Sequence, residues 1–163
     1  MSKEQKTNAM RFLEKNKKAY ETQSYQCDEF IDGITVAQKL GQSLDETFKT
    51  LIAHGKSGQY YCFLLPVAME LDLKKAAKSV GEKSVELLHV KDITKVTGYV
   101  RGGCTPIGMK KQFMTVVHNS AEKLPEFFIS GGRIGLQIRL SPTELVRSIR
   151  GKFEDIASGV KDF

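Results

Sequence analysis

The sequence predicts a mixed α/β (α+β) fold, in which surrounding helices cover a single curved, mostly antiparallel sheet, in one domain over residues 1–163. About seven short apolar runs read as β-strands, and the helical stretches fall between them at irregular intervals. A doubly wound parallel sheet needs a strict alternation of strands and helices, which this order lacks. No internal repeat, low-complexity tract or linker divides the chain, so we expect one core.

Capping residues and apolar runs place the elements of the first half of the chain. Thr7 or Asn8 can cap a first helix, whose Met10 and Leu13 share an apolar face. Gly41 follows a second helix as a left-handed C-cap. The elements predicted after the first helix are a strand over Thr22–Cys27, a helix over Thr35–Leu40, and strands over Phe48–Ala53 and Tyr60–Val67.

The second half begins with a helix over Leu71–Val80, in which Asp72 favours the positive end of the dipole and the small Ala76-Ala77 pair suits close packing against a sheet. The last helix starts at a capping box with proline at its first position, Ser141-Pro142-Thr143-Glu144. Residues after Ile156 are expected to fray. The other predicted elements are a strand over Val85–Val90, a short helix over Asp92–Val96, strands over Phe113–Val117, Glu126–Ser130 and Ile134–Leu140, and the last helix itself, from Pro142 to about Ile149.

Composition excludes several classes of protein. The hydrophobic share of 40% and the charged share of 27% are those of a soluble globular protein, and no apolar run approaches the roughly 20 residues of a membrane helix. The charged N-terminus lacks the apolar region of a secretory signal, so we expect a cytoplasmic protein. Cys27, Cys62 and Cys104 form no C-x-x-C pair, and the three histidines lack metal-ligand spacing. We therefore expect no disulfide framework, no metal and no other cofactor.

The most informative stretch is Thr97–Lys111, which we call the glycine loop. It contains four glycines, one proline and three cations in fifteen residues. A hairpin turn takes two to five residues, so this stretch is longer and richer in glycine than a simple connection requires. Glycines let a backbone approach a ligand closely with its N–H groups exposed. The composition favours a loop that binds an anion or a carbonyl, and a long structural loop is the alternative.

Lys49 is the second candidate. In Phe48-Lys49-Thr50-Leu51-Ile52, strand alternation turns Phe48, Thr50 and Ile52 to one face and Lys49, Leu51 and Ala53 to the other. A lysine on the face of Leu51 and Ala53 points toward apolar surroundings. From the pattern alone, a snorkelling lysine on an edge strand is also consistent.

The net charge of +6 is concentrated in clusters. A basic surface attracts polyanions and binds them in a salt-dependent way, although charge runs are often no more than solvated faces. Beside the glycine loop, phosphate contacts and a ligand site would be neighbours. The cations that we predict to contact nucleic acid are Lys74, Lys75, Lys78, Arg101, Lys110 and Lys111.

Four segments, in the same order, resemble the YbaK family of aminoacyl-tRNA deacylases, whose domain also occurs inserted in bacterial prolyl-tRNA synthetases. The resemblance spans roughly residues 25 to 157 and implies an editing-domain-like fold. The segments are Thr47–Leu51, Leu71–Lys78, the glycine loop and Ser130–Leu136.

The resemblance implies a trans-acting editing hydrolase that deacylates mischarged aminoacyl-tRNA, with Cys-tRNA(Pro) as the leading substrate. The substrate's own thiol would attack its ester carbonyl, so the enzyme supplies chiefly orientation and charge stabilisation. Lys49 corresponds to the polar residue of the family's pocket, and Gly102 and Gly103 are the expected oxyanion donors through their N–H groups. The residues expected to bind the substrate are Tyr25, Thr50, Pro106, Gly108, Ser130, Gly131, Gly132 and Gln137.

Several alternatives stay open at this point. Some members of the family carry an acidic residue at the position of Gln137, so the preferred amino acid is not fixed, and Ala-tRNA(Pro) is a second candidate. A non-catalytic module that binds RNA or a nucleotide would have the same pocket. Cys104 could act as a nucleophile only beside a base, and no histidine is close in sequence. Aminoacyl-tRNA is the expected partner and prolyl-tRNA synthetase a further candidate, whereas the sequence sets no oligomeric state.

Overall fold

A computed structural model describes residues 6–26 and 31–160. Cys27, predicted to end the first strand, lies outside these residues. The helices are α1 (Asn8–Lys15), α2 (Gly33–Leu40), α3 (Leu73–Val80), α4 (Val90–Thr97) and α5 (Pro142–Ser148), with a 3-10 helix over Asn119–Lys123. The strands are β1 (Glu21–Ser24), β2 (Phe48–Gly55), β3 (Tyr60–Pro66), β4 (Met69–Leu71), β5 (Val85–Leu87), β6 (Met114–His118), β7 (Phe127–Ser130), β8 (Leu136–Leu140), β9 (Gly151–Glu154) and β10 (Ala157–Val160).

The helix ends confirm the capping signals of the sequence. The Thr7 hydroxyl accepts a hydrogen bond from the N–H of Met10, and Ser141 does the same for the N–H of Glu144 at the start of α5. The Asp72 carboxylate caps α3. Gly41 ends α2 with φ +67°, the left-handed conformation that glycine adopts without strain.

The fold is mixed α/β, but the strands in the described part of the chain form three sheets, so the prediction of a single sheet was wrong. Five strands have the order β5-β2-β3-β6-β9, three have the order β1-β8-β7, and β10 pairs with β4. The pairings β3·β6 and β6·β9 are parallel, and the other pairings between these strands are antiparallel. Among the described residues, an isolated bridge between Thr47 and Phe128 joins β7 to the residue before β2, without a continuous ladder between the two sheets.

The five-stranded sheet carries a cluster of buried side chains on each face. Phe48 and Ile52 of β2 belong to the larger cluster, together with buried residues of β7, β8 and the glycine loop. Ala53 belongs to the second cluster, in which Ala76 and Ala77 of α3 also lie. The predicted alternation of β2 and the predicted packing of the alanine pair are therefore confirmed.

The C-terminal end differs from the sequence prediction. Ile156 is fully buried, and its carbonyl accepts a hydrogen bond of 2.8 Å from the N–H of Asp72. Ala157–Val160 then pairs with β4. The expected fraying after Ile156 is wrong up to residue 160, because a strand partner 86 to 91 positions earlier in the chain satisfies this backbone.

Candidate active site

A cavity of about 500 Å³ lies where the three-stranded sheet, the first half of β2 and the glycine loop meet. β2 contributes Lys49 and Thr50, and the paired ends of β7 and β8 contribute Ser130 and Gln137. The start of α2, the end of β5 and the start of α4 provide a largely apolar remainder, formed by Ile31, Gly33, Ile34, Val36, Leu87, Leu88, Val90 and Ile93. This size is that of a site for a small organic group.

The cavity brings together seven of the residues predicted from the sequence. They come from five separate parts of the chain, which supports a shared role. The seven are Tyr25, Lys49, Thr50, Arg101, Gly102, Ser130 and Gln137.

Lys49 is half-buried, and its Nζ lies 3.4 Å from the carbonyl oxygen of Val67, to which it donates a hydrogen bond. This bond tethers a flexible side chain to the end of β3 and holds the charge at the cavity wall. A positive charge held in a partly dry site interacts more strongly with developing negative charge than a solvated lysine does.

Thr50 has a buried hydroxyl for which the residues described provide no hydrogen-bond partner. Buried polar atoms are nearly always bonded, so an exception requires an explanation. Thr50 is also a residue of the cavity wall, so this hydroxyl lies close to the site.

The glycine loop reaches the cavity through Arg101, Gly102 and Cys104. The Ser130 hydroxyl donates a hydrogen bond of 3.0 Å to the Gly102 carbonyl and so joins the loop to the end of β7. Gly102 has φ +87°, a conformation that a residue with a side chain rarely adopts. The loop is thus held in one geometry against the sheet that carries Gln137.

Five predicted residues do not appear among the described residues of the cavity wall: Gly103, Pro106, Gly108, Gly131 and Gly132. The N–H of Gly103 donates to the Val100 carbonyl at 2.9 Å, so in this structure it closes a turn of the loop instead of pointing at a ligand. A Cβ atom on Gly103 would lie 2.7 Å from the Cα of Arg133. Direct contact of these five residues with a substrate stays a prediction.

Close packing accounts for two of these glycines. A Cβ atom on Gly108 would lie 2.7 Å from the Asn8 carbonyl carbon, and one on Gly132 would lie 2.8 Å from the Cβ of Thr7. The Thr7 hydroxyl also donates to the Gly131 carbonyl at 2.6 Å. The start of α1 therefore packs directly on both glycine-rich segments, an arrangement that glycine content alone does not distinguish from a ligand cradle.

The charged groups at the cavity differ in sign. Lys49 and Arg101 are the cations, and Asp32, which caps α2, contributes a carboxylate. A hydrogen bond from the N–H of Thr35 lowers the pKa of Asp32, so this carboxylate is ionised at neutral pH. Charged residues of both signs therefore line the cavity.

Cys104 lies at the cavity but is poorly suited to nucleophilic attack. The side chain is buried, and burial raises the pKa of its thiol to about 11, so the thiolate is scarce at neutral pH. Cys62 is also buried, and burial raises the pKa of its thiol as well.

The basic residues predicted to contact RNA are exposed, and some of them already have partners. Lys75 pairs with Asp155 at 2.8 Å, and Lys110 donates to the Lys95 carbonyl at 3.3 Å. Except for Arg101, these cations do not appear among the described residues of the wall. Any RNA contact that they make would lie outside the cavity.

Comparison with known proteins identifies the family. The model of the aminoacyl-tRNA editing domain matches residues 34–148, which hold most of the cavity wall. The chain belongs to the aminoacyl-tRNA editing domain family. As a member of this editing family, it is an aminoacyl-tRNA deacylase, and the resemblance seen in the sequence is confirmed.

A relative from Enterococcus faecalis is 41% identical over 156 residues, which are 95% of each chain. It is named "Putative Cys-tRNA(Pro)/Cys-tRNA(Cys) deacylase EbsC". Among solved structures, the hypothetical protein APE2540 matches with a TM-score of 0.85 and 22% identity, over 93% of this chain and 99% of that one. A "putative trans-editing enzyme for prolyl tRNA synthetase" matches with a TM-score of 0.75 and 24% identity, over 86% and 87%. At these identities the structures show the shared fold.

Among the described residues, no helix has the length and apolar character needed to cross a bilayer. The same part of the chain holds no group of three or more His, Cys, Asp or Glu side chains placed to bind a metal ion.

Proposed function

We propose that residues 1–163 act as one domain that edits in trans, in the cytoplasm, and that Cys-tRNA(Pro) is the main substrate. The observation that carries this proposal is the cavity, in which a tethered ammonium from Lys49, the unpartnered hydroxyl of Thr50 and the backbone of Gly102 meet. The name of the Enterococcus relative supports a cysteinyl substrate for this chain as well.

The reaction that this site favours uses the substrate's own nucleophile. The cysteinyl thiol loses its proton to solvent, and its sulfur attacks the ester carbonyl to form a tetrahedral oxyanion. The bond from carbon to the ribose oxygen then breaks, the ribose oxygen takes a proton from water, and cysteine leaves as a thiolactone that water hydrolyses. The cavity supplies orientation and charge stabilisation, since the attack is intramolecular.

Lys49 and Gly102 are the groups that we assign to the oxyanion. A lysine ammonium and a backbone N–H are both donors that stabilise negative charge as it develops on the carbonyl oxygen. Gly103 would be a second backbone donor to the oxyanion. Its N–H is hydrogen-bonded to the Val100 carbonyl in this structure, so that bond must break before the N–H can reach a substrate. Thr50 and Ser130 are assigned to substrate contacts at the wall.

The tRNA would approach from the side of Arg101, a residue of the cavity wall whose guanidinium group is suited to a terminal phosphate. We assign the neighbouring phosphates to the exposed Lys110 and Lys111, and those farther along the acceptor arm to Lys74, Lys75 and Lys78. Phosphate contacts carry no sequence information, so recognition of the tRNA would come from the amino acid or from a bound prolyl-tRNA synthetase.

The test is deacylation of a panel of Cys-tRNA(Pro), Cys-tRNA(Cys), Ala-tRNA(Pro) and Ser-tRNA. We expect fastest release from Cys-tRNA(Pro), well above the spontaneous hydrolysis of the ester. Preference for Ala-tRNA(Pro) would contradict the cysteinyl assignment. Protection of every ester against hydrolysis would show a non-catalytic binding module instead.

A further inference from the structure

The wall of the cavity holds one buried amide whose orientation is set from outside the cavity. Gln137 is 5% exposed and lines the wall, and its side chain bonds to that of Gln42, a residue outside the cavity lining. Gln42 Nε2 donates to Gln137 Oε1 at 2.5 Å, and Gln137 Nε2 donates to Gln42 Oε1 at 3.2 Å. The two amides thus form a reciprocal pair.

Gln42 is itself held by two further contacts. Its Nε2 also donates to Gln23 Oε1 at 3.4 Å, and its Oε1 accepts a hydrogen bond of 3.1 Å from the Thr47 hydroxyl. The Thr47 hydroxyl also lies 2.9 Å from the Ser43 carbonyl oxygen, so its single hydrogen is shared between two acceptors, whereas both N–H groups of the Gln42 amide are used on side-chain amides. Gln42 therefore cannot rotate without breaking bonds on both sides.

The backbone of Gln42 is fixed as well. Gly41 ends α2 in the left-handed conformation, and the N–H of Gln42 then donates to the Ala37 carbonyl at 2.9 Å. This is the hydrogen bond of a Schellman motif, which sets the direction in which the chain leaves the helix. The position of Gln42 relative to β8 is thus determined by the end of α2.

Gln137 uses only half of its hydrogen-bonding capacity on Gln42. Its amide has one further N–H and one further acceptor position, and the side chain is at the cavity wall. Because Gln23 and Thr47 hold the other side of the Gln42 amide, its pair with Gln137 favours one orientation of the Gln137 amide over the flipped one. The wall then offers a neutral donor and acceptor in fixed places.

We propose that Gln42 is a positioning residue that orients the Gln137 amide toward the aminoacyl group and thereby sets the preference among amino acids. The inference rests on the proposed editing function and adds to it a residue that determines specificity without touching the substrate. A neutral, oriented amide discriminates between aminoacyl groups by the loss or gain of one hydrogen bond, which is worth roughly three- to tenfold in affinity.

The experiment compares cysteinyl and alanyl substrates for wild type, Gln42→Leu, Gln42→Glu and Gln137→Ala. Leucine keeps the bulk of the side chain and removes its hydrogen bonds, whereas glutamate keeps the size and can only accept. Two ratios are measured. The first is kcat/KM for Cys-tRNA(Pro) against Ala-tRNA(Pro). The second is Kd for the cysteinyl against the alanyl form of 3′-amino-3′-deoxyadenosine, in which a stable amide replaces the ester. Gln59→Leu, at an exposed glutamine of the turn between β2 and β3, is the matched control, and thermal unfolding of each variant shows that it is folded.

We expect both Gln42 variants to change the two ratios by roughly three- to tenfold, and Gln59→Leu to leave them unchanged. In a Gln137→Ala background, Gln42→Leu should have no further effect on either ratio, since its action passes through Gln137. If Gln42 had a merely structural role, its substitution would weaken the binding and deacylation of both substrates equally and leave the ratios unchanged. Unchanged ratios in both folded Gln42 variants would overturn the inference. It would also be overturned if Gln42→Leu changed the ratios as much in the Gln137→Ala background as it does in wild type. Absence of deacylation by wild type would contradict the proposed function instead, and the Kd ratio still decides the role of Gln42.

Discussion

Replacing Lys49 by methionine tests the residue on which the proposed chemistry depends most. Methionine has nearly the length and apolar character of the lysine stem and no charge, so the packing of β2 is preserved. The structure holds the ammonium half-buried at the cavity, 3.4 Å from the Val67 carbonyl oxygen. At such a site one donor to an oxyanion is worth about 3 kcal/mol, or roughly a hundredfold in rate.

We therefore expect Lys49→Met to lower kcat/KM for Cys-tRNA(Pro) by about a hundredfold or more. Most of the decrease should fall on kcat, because the charge on the carbonyl oxygen develops in the transition state. Lys49→Arg should restore the activity only in part, since a planar guanidinium replaces a compact charge.

Single-turnover deacylation of radiolabelled Cys-tRNA(Pro) measures this effect separately from substrate binding. Lys56→Met, an exposed lysine of the turn between β2 and β3, is the matched control and should act at the wild-type rate. A folded Lys49→Met protein with wild-type kcat would refute the assignment of the oxyanion to Lys49.

Three further tests concern Cys104, His118, and Lys110 together with Lys111. Cys104→Ala should keep most of the activity, because burial raises the pKa of the thiol to about 11, and mass spectrometry of the quenched reaction should find no acyl group on this residue. Burial lowers the pKa of His118, so unfolding is favoured as the pH falls below the ordinary value of 6.5; thermal unfolding should show this destabilisation in wild type but not in His118→Gln. Replacing Lys110 and Lys111 by glutamine should flatten the dependence of tRNA affinity on salt, by about 0.7 to 0.9 in log–log slope for each phosphate that is no longer neutralised, and identical slopes would remove these lysines from the RNA surface.

Local signals were enough to predict the helices and most strands. The caps at Thr7 and Ser141 depend on neighbours three residues away, and the structure confirms both; Asp72, expected within the first turn of a helix from Leu71, is instead the residue that caps α3. The pairing of β10 with β4 has no such local signal, because each strand is only three or four residues long and its partner is distant in sequence. The same limit explains why one sheet was predicted where three are present.

The candidate site could be predicted only in part, because some of its contacts join residues that are distant in sequence. Lys49 and Gly102 stand out by type and context, and the cavity contains both. Gln42 gave no signal in the sequence, since its partner Gln137 is 95 positions away and the pair exists only when β8 and the end of α2 meet. Glycines such as Gly108 were expected to approach a ligand, whereas here they approach the backbone of α1.

The most direct test of the central claim is the rate at which the protein deacylates S-methylcysteinyl-tRNA(Pro) compared with Cys-tRNA(Pro). Methylation of the sulfur removes the nucleophile and changes the size of the side chain by one methyl group. If the substrate's thiol attacks its own ester, the methylated substrate should still bind to the cavity. Its amino acid should be released no faster than by spontaneous hydrolysis of the ester. Deacylation of both substrates at similar rates would show that water or a protein group attacks the ester, which contradicts the proposed mechanism.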